Sequence, residues 1–192
     1  MMIDIGPAAE RMTSLLATVL EDEFDRPTPC PDTSVGDLVD HVGALTKGFI
    51  AVARKNVDGT EAPVKPDAAN LEVGWRDRVV RDLATLAETW RDSAAWEGMT
   101  SAAGVALPGH VAGLVALDEL VVHGWDIAVA IGQPYTPSVE DVEAAMSFVA
   151  AFDAPRDGNL FGPAVPVPDD APALDRLLGL TGRDPEWRSS AR

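Results

Sequence analysis

The sequence has little cysteine and little positive charge, and each shortage excludes a class of protein. A single cysteine among 192 residues cannot form an internal disulfide, so a disulfide-stapled secreted scaffold is excluded. The sequence contains only 15 Lys and Arg residues but 31 Asp and Glu residues, which gives a formal net charge of −16. This negative field repels nucleic-acid phosphates and anionic lipid headgroups, so we expect no nucleic-acid partner and no membrane partner.

Long apolar runs are also missing. The most apolar stretch, residues 111–131, is interrupted by Asp118, Glu119, His123 and Asp126, which are too many ionisable groups for a membrane span. The first residues, MMIDIGPAAERM, lack the basic segment and the apolar segment that make a signal peptide. Because 46% of the residues are hydrophobic and 24% are charged, we expect a globular, cytoplasmic protein with a buried core.

Apolar residues recur at helical spacing through most of the chain, and signals for strands are few. The pattern predicts helices over residues 7–24, 34–56, 69–91, 108–131 and 138–152, and a short helix over 172–180. Residues 92–108 are predicted to be irregular or to form a weak hairpin. We therefore expect an all-α fold, a four-helix bundle with an additional short helix and a C-terminal arm. Residues 1–152 would form the bundle, and the Pro- and Gly-rich residues 153–192 the arm packed on it.

The predicted helix over residues 108–131 carries three neighbouring polar side chains. It is apolar on nearly all other sides, so it should lie in the middle of the bundle. Glu119, His123 and Asp126 fall within an arc of roughly 60° on this helix, at about 100° per residue. Buried groups of this kind must be paired or bound to a metal, because an isolated buried charge costs several kcal/mol. From this helix alone, a Glu–His hydrogen bond and a metal site are equally good interpretations.

A histidine on the second predicted helix strengthens the metal interpretation. His41 flanks the apolar stripe of that helix and can point inward. Two histidines and a glutamate are the ligands of open zinc sites, in which a fourth position is left for water or substrate. We therefore predict that His41, Glu119 and His123 bind one divalent metal, zinc first and nickel as the alternative. Asp126 would orient His123 by accepting a hydrogen bond from its ring.

Two further residues are weaker candidates for a functional role. Cys30 lies between Pro29 and Pro31, and it is either a reactive thiol or a loop residue. No Lys or His stands beside it in the sequence to stabilise a thiolate. His110 lies on another side of its helix from the polar cluster, and we interpret it as an ordinary histidine at a helix start.

Three segments carry a resemblance to a known family: TPCPDTSVGDLVDHVGAL, LDELVVHGWDIAVAIGQP and FGPAVPVPDDAPALDRLLGLTGRDPEW. They resemble the actinobacterial metal-binding proteins related to the N-terminal domain of mycothiol-dependent maleylpyruvate isomerase, which belong to the DinB-like superfamily of helical bundles. The resemblance covers nearly the whole chain. It implies that the histidine of LVDHV and the Glu and His of ELVVHGWD bind one divalent metal. Those residues are His41, Glu119 and His123.

The resemblance also implies a function. It points to a mycothiol-dependent S-transferase or isomerase-like enzyme, whose metal activates a small thiol for attack on a small electrophile. The alternatives are a non-catalytic metal-binding or sensor protein, and a bundle that keeps the three residues for stability alone. A homodimer is one option for the assembly. The full isomerase has a further C-terminal domain that contributes to its active site, so we do not expect maleylpyruvate isomerisation to follow from the metal site.

Overall fold

The computed structural model describes residues 2–56, 65–152 and 160–189. Within these ranges the chain is all-α apart from one short hairpin, which confirms the expected fold class. The helices are α1 (Gly6–Leu16), α2 (Val35–Ala53), α3 (Trp75–Thr89), α4 (Ser93–Trp96), α5 (Gly109–Ile131), α6 (Val139–Ala151) and α7 (Ala173–Leu180). The hairpin pairs β1 (Met99–Ala102) with β2 (Val105–Pro108) in antiparallel register. Short 3-10 turns occur at Glu21–Glu23 and Ala68–Asn70.

The helices α1, α2, α3 and α5 form a closed ring around the core. α1 packs on α3 and α5, and α2 packs on the same two helices, so each helix of the four has two neighbours. α5 also packs against α6, and α7 packs on α6. α5 is therefore covered on several sides, and 17 of its 23 residues are buried. This central position is the one that its nearly all-round apolar sequence predicts.

Two helix boundaries differ from the sequence prediction. α1 ends at Leu16 and not near residue 24, because the N–H and the hydroxyl of Thr18 both donate to the carbonyl of Leu15 and close a turn. α3 begins at Trp75 and not near residue 69. The residue before it, Gly74, has a φ of +80°, a left-handed conformation that separates α3 from the preceding turn.

The helix that carries His41 begins where the sequence predicts. The hydroxyl of Ser34 accepts from the N–H of Asp37 at 3.2 Å, and the Asp37 carboxylate accepts from the N–H of Ser34 at 3.1 Å. The same carboxylate accepts from the N–H of Ala68 at 2.8 Å. The start of α2 is therefore tied to the chain segment that leads into α3.

The C-terminal segment, residues 160–189, packs back on the rest of the molecule. Leu177 and Leu178 of α7 are fully buried. After α7 the chain turns at Gly182, whose φ of +85° suits glycine, and Arg183 is then placed against α5. Residues 153–159, where the predicted arm begins, lie outside the described residues, so the division into bundle and arm stays a prediction.

The helices of this fold are unlike membrane-spanning segments. No helix among the described residues combines the length and the apolar character that crossing a membrane requires. α5 is long enough, but its central turns carry Asp118, Glu119 and Asp126. Its apolar surface is covered by α1, α2, α4 and α6.

Two glycine substitutions test the packing of α5. A Cβ at Gly113 would lie 2.6 Å from the Trp96 ring and 2.8 Å from the Trp90 ring, whereas a Cβ at Gly48 in α2 meets nothing within 4 Å. Gly113→Ala should lower the free energy of unfolding by about 1–3 kcal/mol through overpacking. Gly48→Ala should raise it by about 0.5–1 kcal/mol, because alanine is the better helix former. Urea unfolding measures both, and equal effects of the two substitutions would contradict this packing.

Candidate metal centre

Three side chains from two helices converge at one place between α2 and α5. They are His41 on α2 and Glu119 and His123 on α5, and one ligand atom of each lies within 4.8 Å of the other two. The rings of His41 and His123 meet edge to face, with centroids 5.1 Å apart. In the part of the chain that the structure describes, no other group of three His, Cys, Asp or Glu side chains comes together in this way. The structure thus brings together the three residues predicted as ligands.

The local sequence explains how these side chains reach the same place. His41 lies between Leu38 and Val42, which are both buried on the inner side of α2. Glu119 and His123 are four residues apart on α5, so their side chains stand one above the other on the same face. Because α2 and α5 pack directly on each other, the single residue on α2 meets the pair on α5.

Both ring nitrogens of His123 have carboxylate partners. Nε2 lies 2.9 Å from Oε2 of Glu119, and Nδ1 lies 3.0 Å from Oδ2 of Asp126. The Asp126 side chain is fully buried, and the His123 side chain is only 9% exposed. Asp126 therefore stands at the position from which the sequence predicted that it would orient the His123 ring.

Asp126 has a second partner that the sequence analysis missed. Arg183 lies 57 residues further along the chain, and its Nη2 is 3.1 Å from Oδ2 of Asp126. Its Nε is 3.4 Å from Oδ1 of the same carboxylate, and its Nη1 donates to the carbonyl of Thr181 at 2.8 Å. The one signal in the sequence is an arginine directly after the apolar run LLGLTG, and that signal names no partner.

The two carboxylates set the charge of His123 in the metal-free site. Burial by itself would lower the pKa of His123, but the hydrogen bonds with Asp126 and Glu119 outweigh it and raise the pKa to about 10. Burial and the charge of His123 lower the pKa of His41. Burial would raise the pKa of Glu119, but the hydrogen bond with His123 holds it below its usual value. The metal-free site thus contains a charged His123, a neutral His41 and an ionised Glu119.

The donor atoms fit a divalent transition metal. Two imidazoles and one carboxylate are a common ligand set for zinc, and nickel also accepts imidazole. His123 can offer a lone pair at Nε2, the nitrogen that faces Glu119, if it keeps a proton on Nδ1. Asp126 stabilises that tautomer because its carboxylate accepts at Nδ1.

The remaining polar candidates lie outside the cluster. Cys30 is a half-buried free thiol. Burial opposes the charge of Arg183, but the Asp126 carboxylate outweighs it and raises the pKa of the guanidinium. His110 is exposed and lines a surface groove with residues of α6. Asp118 is buried, and burial raises its pKa well above the usual value. Its Oδ1 has no hydrogen-bond partner among the described residues.

A narrow crevice lined by residues of α2, α3 and α5 reaches Glu119. Its walls are mostly apolar and include Val42, Phe49 and Leu120. Its volume is about 10 Å³, close to the smallest space that holds one water molecule. The crevice therefore leaves room beside Glu119 for a water-sized group.

The comparisons with known proteins agree with this architecture. Residues 5–128, which include all three clustered side chains, match the family model of the mycothiol maleylpyruvate isomerase N-terminal domain. Two uncharacterized proteins of Mycobacterium tuberculosis, from strains CDC 1551 / Oshkosh and ATCC 25618 / H37Rv, are each 30% identical to this chain over 184 residues. Those matches cover 92% of this chain and 93% of each relative.

A solved structure supports the fold. The crystal structure of the mycothiol-dependent maleylpyruvate isomerase is similar to this chain with a TM-score of 0.54 and 21% sequence identity. The match covers 75% of this chain and 64% of that one. This chain therefore spans less than two thirds of that isomerase, and at this identity the likeness shows the fold alone.

The charge of His123 predicts how the stability of the metal-free protein depends on pH. The folded pKa of about 10 lies above the unfolded value near 6.5, so the ionic contacts of His123 contribute fully below pH 6.5 and are lost as the pH rises through 10. The pKa of His41 is lowered on folding, so its titration changes the stability only below pH 6.5 and not between pH 6.5 and 10. Thermal unfolding in excess EDTA should therefore give a melting temperature that falls from about pH 6.5 to pH 10.

The matched control for this measurement is His123→Gln. Glutamine does not titrate, so the variant should show a flatter profile over the same pH range. Groups that do not interact with His123, among them Lys55, affect both proteins equally and cancel in the difference. A wild-type profile as flat as that of the variant would contradict a charged His123.

Proposed function

The chain belongs to the mycothiol maleylpyruvate isomerase N-terminal domain family, and from this premise we propose that it is a divalent-metal-dependent enzyme acting on a small thiol. His41, Glu119 and His123 are the proposed ligands, with zinc as the expected metal and nickel as the alternative. Mycothiol is the thiol that the family name suggests. The observation that carries the proposal is the convergence of three ligand atoms from two helices within 4.8 Å.

The number of ligands favours an open site. The described residues offer three protein ligands, the number found in catalytic zinc sites, which keep a further position for water or substrate. A divalent metal held there would supply Lewis acidity, which lowers the pKa of a coordinated thiol so that it reacts as the thiolate. The side chain of Glu119 is 15% exposed, so a thiol can approach the cluster from that side.

The protein side chains would position the reactants and protect the site. Asp126 accepts a hydrogen bond from Nδ1–H of His123 and so keeps Nε2 directed at the ligand cluster. Burial keeps His41 neutral, the form in which an imidazole can be a ligand. The apolar walls of the crevice exclude bulk water on one side of Glu119. We expect the electrophile to approach from the exposed side of Glu119, since the crevice holds only a water-sized group.

The reaction class is proposed as S-transfer or isomerisation through attack of the thiol on an electrophilic carbon. Isomerisation of maleylpyruvate is the reaction named for the protein in the solved structure, and it is not carried over to this chain. This chain matches 64% of its length at 21% identity, so the site alone does not assign maleylpyruvate as the electrophile.

A metal-free role is the competing interpretation, and one observation favours it. The 2.9 Å contact between Glu119 and His123 satisfies both groups without an ion, so the cluster is also a stable hydrogen-bonded triad with Asp126. A non-catalytic metal-binding or sensor protein is the other alternative, and it requires a closed coordination shell. Two measurements separate these interpretations.

Metal binding should stabilise the wild type and not the ligand variants. The purified protein should carry about one divalent metal per chain, and chelation should lower its melting temperature until zinc is restored. The stabilisation is roughly 4 kcal/mol at a thousandfold excess of free metal over Kd. His41→Ala and His123→Ala should lose the response to zinc, whereas His110→Ala, an exposed histidine on the same helix as His123, should keep it. A wild-type melting temperature that changes with neither chelator nor zinc would support the metal-free triad.

A thiol should bind directly to the metal if the site is open. In cobalt-loaded protein, a low-molecular-weight thiol should add sulfur-to-cobalt charge-transfer absorption, and an alcohol of the same size should not. Titration by absorption spectroscopy measures this binding. An unchanged spectrum at millimolar thiol would favour the closed, non-catalytic interpretation even where the metal is bound.

A further inference from the structure

The His123 ring stands at the inner end of a chain of contacts that leaves the metal cluster. The chain runs from His123 through Asp126 to Arg183, with closest distances of 3.0 Å and 3.1 Å. His123 and Asp126 are on α5, while Arg183 follows α7 in the C-terminal segment. Two parts of the fold that are distant in sequence thus meet directly behind one proposed ligand.

We propose that Arg183 is a positioning residue that fixes Asp126, and through it the His123 ring, so that the C-terminal segment sets the metal affinity of the site. This inference rests on the proposed function, since it assumes that His123 is a ligand. The contact geometry carries it. Oδ2 of Asp126 lies within hydrogen-bond distance of both His123 Nδ1 and Arg183 Nη2, and Oδ1 faces Arg183 Nε at 3.4 Å.

A guanidinium that contacts both oxygens determines the plane of the carboxylate. With one partner, the Asp126 carboxylate could turn about its terminal bond and direct Oδ2 away from the imidazole. The two-pronged contact with Arg183 resists that rotation, because the guanidinium is planar and its N–H groups are fixed relative to one another. The direction of Oδ2 in turn fixes the rotation of the His123 ring.

Arg183 can serve as an anchor because its own position is fixed. Nη1 donates to the Thr181 carbonyl at 2.8 Å, and the N–H of Arg183 donates to the Leu178 carbonyl at 2.8 Å. Thr181 is fully buried, and its hydroxyl also donates to Leu178. The left-handed turn at Gly182 brings the backbone within reach of α5. The guanidinium is therefore held by the end of α7, a part of the chain separate from the helices that carry the ligands.

Arg183 also keeps the buried carboxylate paired when a metal is bound. His123 must be neutral to donate a lone pair, and in that state it no longer balances the charge of Asp126. An arginine stays charged at every pH the protein meets. Asp126 is fully buried, so it depends on that permanent partner.

The test is zinc affinity measured by competition with a chromophoric chelator on the full chain. Loss of the hydrogen-bond partner of a ligand typically weakens metal binding 10- to 100-fold. Arg183 acts one contact further out, through Asp126, so Arg183→Met should weaken zinc binding at the lower end of that range, by about tenfold. Arg183→Lys should lose less, because it restores the charge without the two-pronged contact. Arg176→Met is the matched control, since it removes one exposed arginine of α7, and it should bind zinc as the wild type does. Wild-type affinity in Arg183→Met would overturn the inference, whereas a wild type that binds neither zinc nor nickel would overturn the proposed function.

A second measurement separates positioning from loss of fold. In Arg183→Ala, low millimolar guanidinium should occupy the vacated place and strengthen zinc binding at least several-fold. A variant that is merely destabilised should respond in the opposite direction, because guanidinium is a denaturant. The double variant Asp126→Asn with Arg183→Met removes both buried charges. It should stay folded in EDTA by circular dichroism and still bind zinc more weakly, and wild-type affinity there would also overturn the inference.

Discussion

The complete burial of the Asp126 carboxylate is the constraint on which the rest of the site depends. A charge in that position is costly unless it is paired and hydrogen-bonded on all sides. The molecule meets this requirement with an imidazole from the same helix and a guanidinium from the C-terminal segment. The need to pair one carboxylate therefore fixes the orientation of His123 and joins the end of α7 to the middle of α5.

The same arrangement satisfies two different states of the cluster. Without a metal, a charged His123 lies between Glu119 and Asp126, and each of its two ring nitrogens has a carboxylate partner. With a metal, the ion would replace the proton on Nε2, and the contacts behind the ring need not change. A divalent ion could therefore bind there with little rearrangement of the side chains. The hydrogen-bonded triad and the proposed metal centre would then be two states of one geometry, and for that reason one helix could not distinguish them in the sequence.

How well the sequence predicts a feature depends on how far apart in the chain the residues that determine it lie. Glu119, His123 and Asp126 lie within two turns of one helix, so helical periodicity is enough to place them on one face. His41 depends on the packing of α2 against α5, and the inward side of an amphipathic helix gave the signal for it. Arg183 depends on the turn at Gly182 and on how α7 docks, and neither leaves a periodic pattern. The end of α1 was missed because a side chain at Thr18 competes with the helix for backbone partners.

Burial decreases from the back of the site to its front. Asp126 is completely buried, the His123 side chain is 9% exposed, and the Glu119 side chain is 15% exposed. The groups that determine orientation are thus the most enclosed, where packing and low dielectric make their contacts strongest. Of these three side chains Glu119 is the most exposed, and its contact with His123 is the one that a bound metal would replace. The Glu119 side of the His123 ring is therefore the less enclosed one, while the opposite side is held by α5 and the C-terminal segment.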